Sequence, residues 1–429
     1  MYKSSDRLAI DFGTSNSAAA RMTGGQIRRI PLEAGADTIP TSLFFNAEDH
    51  SVAFGKAANL ALADGQPGRY MRSLKSVLGT SLKAEKRMLN GRRMSGYDVV
   101  ASYISHIKNQ AEAIENIRFT EVVSGRPVHF HSADATRDAR AENDLRQCYH
   151  IAGFERVDFV PEPVAAALSE RQNLTEGGVG LVVDIGGGTS DFAVFRNKAG
   201  NPQNASLIDV LAAHGIRLGG TDFDRQTSIK FMMPFLGRGA EIGRPMGAGT
   251  IPAPKALYSE LSTWQMIPFL YNAKTLRDID DLIYLARDKR PFQRLRDVIE
   301  HETGHDLAML TEATKIALNE TDAAEIDVPL DLLERGLSTR IEVKTFDQTL
   351  SQSALKIQDA VGQTLTKAGI DQGEITDVIE VGGGGRMTLI RDSLKSLFPN
   401  ARFFTGATFT AVVDGLAIAS TLPMEWRVG

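Results

Sequence analysis

Apolar runs that do not alternate with polar residues recur along this chain, and two of them end in turns rich in glycine and hydroxyl side chains. Uninterrupted runs of this kind mark strands buried on both faces. The clearest are Leu8-Ala9-Ile10 and 179–185. Shorter apolar stretches predict strands at 17–21, 26–30, near Phe44, and at 121–125, 191–196, 206–212, 325–329, 337–344 and 377–381. Helical spacing covers 97–117, 133–151, 162–172 and 347–368, and a further long helical pattern ends at Asn319. Residues 68–86 read as a polar, basic stretch, and an insertion-like region at 235–304 opens with a Gly/Pro-rich loop at 237–254. Strands and helices alternate in both halves, which predicts a two-lobed α/β fold with a central cleft.

One device appears twice. Leu8-Ala9-Ile10-Asp11-Phe12-Gly13-Thr14-Ser15-Asn16-Ser17 returns about 170 residues later as Leu181-Val182-Val183-Asp184-Ile185-Gly186-Gly187-Gly188-Thr189-Ser190-Asp191. Each copy is an apolar strand, an Asp and a Gly/Thr/Ser turn, so the chain reads as duplicated. Such turns offer backbone N–H groups and hydroxyls that can cradle a polyphosphate. Glycines at 186–188 let the backbone approach phosphate where a Cβ would intrude. An Asp at the end of a buried strand costs desolvation unless something pairs it, and a metal-bound water is one such partner. Neither turn has the Lys-Ser/Thr ending of a Walker A loop.

Composition narrows the partners. The 429 residues allow two to three domains, and 42% hydrophobic content suffices for cores. A formal charge of −5, from 48 basic and 53 acidic residues without long single-sign blocks, points away from nucleic acid and anionic membranes. Cys148 stands alone, which excludes an intrachain disulfide. The N-terminus enters the first strand without an apolar signal segment, and no run is long enough to span a bilayer, so a cytoplasmic location is expected.

Three more segments complete a set. Pro161-Glu162-Pro163-Val164-Ala165-Ala166-Ala167-Leu168 opens a helix, Val381-Gly382-Gly383-Gly384-Gly385-Arg386 closes a strand in glycines, and Asp414-Gly415-Leu416-Ala417-Ile418-Ala419 is a helix of small residues. With the two turns, these segments resemble the actin-like ATPase superfamily, and within it the nucleotide-binding domain of the seventy-kilodalton heat-shock (DnaK-type) chaperones. The turns resemble the two phosphate loops, 161–168 and 414–419 the two interlobe helices, and 381–386 the adenosine motif. Leu74-Lys75-Ser76-Val77-Leu78-Gly79 is similar to the segment bearing the catalytic lysine, and Glu312-Ala313-Thr314-Lys315 to the helix that clasps the ribose.

This resemblance implies a duplicated actin-like ATPase (ribonuclease H-like) fold. Lobe I is expected at 1–172 with an outer subdomain at about 37–118, lobe II at 173–408 with an outer helical subdomain at about 229–311, and 409–429 returns to lobe I. ATP or ADP with Mg²⁺ is the implied ligand, and slow ATP hydrolysis the implied activity. Asp11 and Asp184 would hold the metal through its waters, Glu162 and Asp191 would position the attacking water or take its proton, and Lys75 would meet the developing γ-phosphate charge. Gly13, Thr14, Ser15, Gly186, Gly187, Gly188, Thr189, Gly219 and Gly220 are assigned to phosphate, and Glu312, Lys315, Gly382, Gly383, Gly384 and Arg386 to the nucleoside. Closure of the lobes would signal to a co-chaperone, a nucleotide-exchange factor or a client protein.

The sequence also departs from that pattern. Ile316 and Asn319 stand where an Arg and a Ser meet adenine in the family, and Phe409 stands near the place of a family Asp. The chain ends at Gly429 shortly after the second interlobe helix, as in short YegD-type relatives, so the usual peptide-binding domain is not expected. A sugar or acetate kinase, a filament former and a non-hydrolysing nucleotide-dependent scaffold share the two turns and remain alternatives. His301-Glu302-Thr303-Gly304-His305 fits the H-E-x-x-H pattern of a zinc peptidase if one helix carries it, with Glu320 or Glu325 as a third ligand.

Overall fold

The computed structural model describes residues 5–80, 86–89, 91–131, 134–198, 208–405 and 410–422. It divides into two compact units, Met1–Gly219 with Lys356–Gly429, and Gly220–Leu355. No helix among the described residues is long and apolar enough to cross a membrane.

The first unit holds two large sheets built on one plan. In strand order, one sheet runs Gln26–Ile30, Asn16–Thr23, Leu8–Phe12, Glu121–Arg126, Arg156–Pro161, and the other runs Ile208–Ile216, Ser190–Asn197, Val179–Ile185, Ile375–Val381, Arg402–Phe404. In both, the first three strands are antiparallel and the last two run parallel to the third. The register repeats as well. Phe12 faces Ser17 and Asp11 faces Ala18 in one sheet, while Ile185 faces Ser190 and Asp184 faces Asp191 in the other. The duplication seen in the sequence is therefore a duplication of topology and of turn length.

Period-two alternation along the strands decides where each Asp points. Leu8, Ile10 and Phe12 enter one core with the helices Gly96–Glu115 and Ala135–Ile151. Ala9 enters a second core, which also takes Val182 from the other sheet and the helices Glu162–Glu170 and Ala411–Ala419. Asp11 shares the parity of Ala9, and Asp184 that of Val182. Both carboxylates thus face the layer that holds the two apolar helices. Those helices cross closely, because a Cβ on Gly415 would come within 1.7 Å of the Ala165 carbonyl oxygen.

The second unit begins with the helix Gly220–Thr227 and contains the helices Ala273–Leu285, Arg290–Glu300 and Gly304–Glu320. It also has a short hairpin, Glu241–Gly243 with Thr250–Pro252, inside the segment predicted as loop. A second hairpin pairs Glu325–Pro329 with Ser338–Glu342, as the apolar pattern predicts.

Several elements differ from the sequence reading. The single helix that the H-E-x-x-H reading needs across 301–305 is broken, with Glu302 at a φ of 57° between Arg290–Glu300 and Gly304–Glu320. Part of the polar stretch 68–86 is a strand, Gly68–Arg72, paired with Ser42–Asn46. The strands Arg156–Pro161 and Arg402–Phe404 and the helix Thr388–Leu397 were not anticipated. Residue 133 of one predicted helix and residues 206–207 of one predicted strand lie outside the described residues.

The crossing at Gly415 yields a prediction. Gly415→Ala should lower unfolding stability by about 3 kcal/mol, the order of cost for overpacking a filled core. Urea unfolding would measure it, and an unchanged midpoint would refute the close-crossing argument.

Candidate functional site

Asp11 sits near the end of Leu8–Phe12, and the turn Gly13–Ser15 follows it. Asp184 sits near the end of Val179–Ile185, ahead of the turn 186–189. The two turns face each other, since a Cβ on Gly187 would lie 2.5 Å from Ser15 Oγ and 3.4 Å from Thr14 Cβ. Gly219 backs the second turn, because its Cβ would fall 2.7 Å from the Gly187 carbonyl and from Gly188 N. Gly382, at a φ of 77°, lies against the same strand end, where a Cβ would meet Ile185 O at 2.3 Å and Asp184 Oδ1 at 2.8 Å. The turn Gly383–Arg386 follows directly, with Gly384 packed on Ile185 and Arg386 exposed. Both sequence-predicted phosphate turns and the glycine motif at 382–386 thus converge, and a Cβ at Gly187, Gly382 or Gly384 would collide where they meet.

Glu162 is the first residue of its helix after Pro161, a position that favours an acid by the helix dipole. Its carboxylate instead takes a partner, since Lys75 Nζ donates to Glu162 Oε1 at 2.6 Å with both side chains largely buried. Lys75 rides on a single tight turn, Leu74–Val77, entered through Ser73 at a φ of 56°. That turn is tied down from behind. Gly79 N donates to Asp144 Oδ2 at 2.8 Å, Tyr97 Oη to Asp144 Oδ1 at 2.7 Å, and Arg137 Nε to Gly79 O at 3.2 Å. Asp191 accepts from Val128 N at 2.8 Å and from Thr189 Oγ1 at 3.1 Å.

Charge is out of balance here. Asp11, Glu162, Asp184 and Asp191 surround one ammonium, Lys75. Burial, followed by the charge of Glu162, pushes the Asp11 and Asp191 carboxyls up to about 7, with Lys75 opposing. Asp184 is raised well above the usual carboxylate range by burial, then by Glu162, Asp191 and Asp11. Burial alone would depress Lys75, yet the carboxylates, Glu162 first, raise it above its ordinary value, so it stays cationic. Among the described residues no three His, Cys, Asp or Glu side chains converge as a cage for a metal ion. The carboxylates nevertheless fit a hydrated cation, because their excess negative charge is what such an ion would offset across its water shell.

Glu312 and Lys315 belong to the second unit, on the helix Gly304–Glu320. Lys315 Nζ pairs with Asp224 Oδ1 at 2.7 Å, Ile316 is exposed, and Asn319 is half-buried. Gly220 opens the helix that carries Asp224. Phe409 lies outside the described residues. The H-E-x-x-H segment does not lie on one helix, as the zinc-peptidase alternative would need. His301 caps one helix with Nδ1 on Asp297 O at 2.9 Å, whereas His305 is buried in the next, 4.5 Å from the Trp264 ring.

Some participants escaped the sequence reading. Gly125 makes room for Glu162, whose Cγ would lie 3.1 Å from its Cβ, and Gly215 makes room for Asp191 Oδ1 at 2.8 Å. A lone glycine inside a strand signals this sort of close approach. Phe130, 5.9 Å from Lys75 Nζ, left no such signal.

The family model for Hsp70 protein matches residues 7–238 and 279–421. This chain belongs to the Hsp70 family. Membership carries the actin-like ATPase fold, and the duplicated sheets of the first unit are its expression here. It also makes the chain an Hsp70-like ATP-binding protein of the chaperone family, whose members generally bind ATP or ADP with Mg²⁺. Residues 239–278, between the matched stretches of this Hsp70 chain, include the short hairpin Glu241–Gly243 with Thr250–Pro252.

The raised carboxyls give the ligand-free protein a defined pH response. Asp11 moves from 3.8 to about 7 on folding, so its protonated form favours the fold. That contribution is complete below about pH 4 and is lost as pH rises through 7. Asp11→Asn removes it, and thermal melts should show the variant gaining stability over wild type at pH 8 relative to pH 5. Equal differences at both pH values would contradict the buried-charge account.

Proposed function

We propose that this Hsp70-family chain is a Mg²⁺-dependent, slow ATPase whose nucleotide state is read by a partner through closure of its lobes. The observation that carries this reading is the convergence of Lys75, Glu162 and Asp191 with two facing glycine turns. ATP hydrolysis needs phosphate held in a fixed orientation, a cation where γ-phosphate charge grows, and a carboxylate to align the attacking water. Thr14, Ser15, Gly187, Gly188 and Thr189 supply the cradle in this reading, with Gly13, Gly186, Gly219 and Gly220 allowing close backbone approach.

Lys75 neutralises charge on the transferred phosphoryl group, and its pairing with Glu162 keeps it oriented before nucleotide arrives. Asp191 orients the water and takes its proton, a role suited to a carboxyl that titrates near 7. Glu162 shares that water on its other oxygen. Asp11 and Asp184 would hold Mg²⁺ through its water shell, and the ion would supply positive charge to offset that of the polyphosphate. Glu312 and Lys315 take the ribose, and Gly382, Gly383, Gly384 and Arg386 the adenosine. A partner of this cycle would be a co-chaperone, an exchange factor or a client protein, and a cytoplasmic location is consistent with this reading.

Lys75→Ala separates catalysis from binding. The variant should bind MgATP within a few-fold of wild type while single-turnover phosphate release slows by about a hundredfold or more, the usual cost of removing a charge-stabilising donor. Undiminished hydrolysis would remove Lys75 from the mechanism. A second profile tests Asp191: kcat/KM, which reports the free enzyme, should rise with pH through about 7 and lose much of that rise in Asp191→Asn.

A further inference from the structure

The first phosphate turn has a brace that the proposed mechanism does not use. Tyr103, in the helix Gly96–Glu115, is fully buried. Its ring packs 6.0 Å from that of Phe12, the residue just before Gly13. Its hydroxyl donates to Pro40 O at 2.9 Å and joins the hydroxyls of Ser17 and Thr41, which are themselves 2.8 Å apart. Thr41 N closes the circuit by donating to Ser15 O at 2.8 Å. The strand pair of Asn16 with Pro40 and Ser17 with Ile39 runs alongside. One side chain therefore touches both ends of the turn, its ring before Gly13 and its hydroxyl after Asn16.

We propose that Tyr103 is a positioning residue for the first phosphate turn, acting through Ser17 and Thr41 to hold Thr14 and Ser15 in the geometry that receives phosphate. The second repeat supports this, because it braces the equivalent residue in another way. Ser190 occupies the place of Ser17 in the register, and its Oγ donates to Leu218 O at 2.8 Å, beside the Gly219 that backs the second turn. Both turns are thus pinned at the serine that leaves them. In the second repeat a backbone carbonyl of the following segment does the pinning, and in the first a hydroxyl network anchored by Tyr103. Burial raises the tyrosine hydroxyl above its ordinary range, so it remains a donor at every working pH. Each hydroxyl in the circuit has a partner, and removing one leaves another buried group unsatisfied.

The inference rests on the reading of the turn as a phosphate cradle, and the test separates the two. Calorimetric titration with MgATP would be run on wild type, Tyr103→Phe, Thr41→Val and Thr41→Ser, with ligand-free melts alongside. Tyr103→Phe keeps the ring on Phe12; the buried group left unsatisfied should lower the ligand-free melt by a few degrees, and the loosened turn should weaken MgATP about tenfold. Thr41→Val should do the same, and Thr41→Ser should bind like wild type. If Tyr103→Phe does not fold, the contrast between Thr41→Val and Thr41→Ser decides the matter in the same way. Wild-type affinity in both hydroxyl-deleting variants would overturn the positioning role and leave the phosphate cradle standing. Absence of MgATP binding by wild type would overturn the cradle and this inference with it.

Discussion

The fold gathers carboxylates that it cannot neutralise by itself. Asp11 and Asp184 end equivalent strands, Glu162 starts a helix in the layer they face, and Asp191 adds a further acid opposite Asp184. One buried ammonium, on Lys75, sits among them. Such a cluster costs stability, because desolvation and like charge both favour protonation. The structure bears that cost where a cation and a polyphosphate would relieve it, as strained polar sites in proteins commonly do.

Duplication explains how the cluster is assembled, and its imperfection explains how it works. Equivalent strands, turns of equal length and matching serines give two facing cradles. The symmetry fails at one position that matters for chemistry, where the first repeat has Ala18 facing Asp11 and the second has Asp191 facing Asp184. In the proposed reading one turn only holds phosphate, while the other also presents an acid. Lys75 and Glu162 come from segments outside the repeat, and their pair breaks the symmetry further. The small residues of Glu162–Glu170 and Ala411–Ala419 let two helices pass closely enough to fix Glu162 in that layer.

Much of this was legible in the residues. Unbroken apolar runs located the central strands, and the repeated Asp-x-Gly pattern with its following Thr and Ser located the turns. Asp11, Asp184, Asp191, Glu162 and Lys75 were each named from their segments, and they do come together. What escaped has local causes. Arg156–Pro161 mixes charged and apolar residues and runs straight into a helix, and Arg402–Phe404 is too short to show a period. The break at 301–303 depends on Glu302 adopting a left-handed backbone, which no glycine announces. The brace at Tyr103 joins residues far apart in sequence, and periodicity reports only that such a tyrosine is buried.

The most direct test of the central claim is the proton balance of nucleotide binding. Titration with MgATP at pH 7, in two buffers of different ionisation enthalpy, counts protons released per nucleotide bound. If buried carboxyls near 7 are what the ligand relieves, binding releases protons at pH 7 and the release fades by pH 9. Binding without proton release at pH 7 would contradict the claim that these carboxylates form the site.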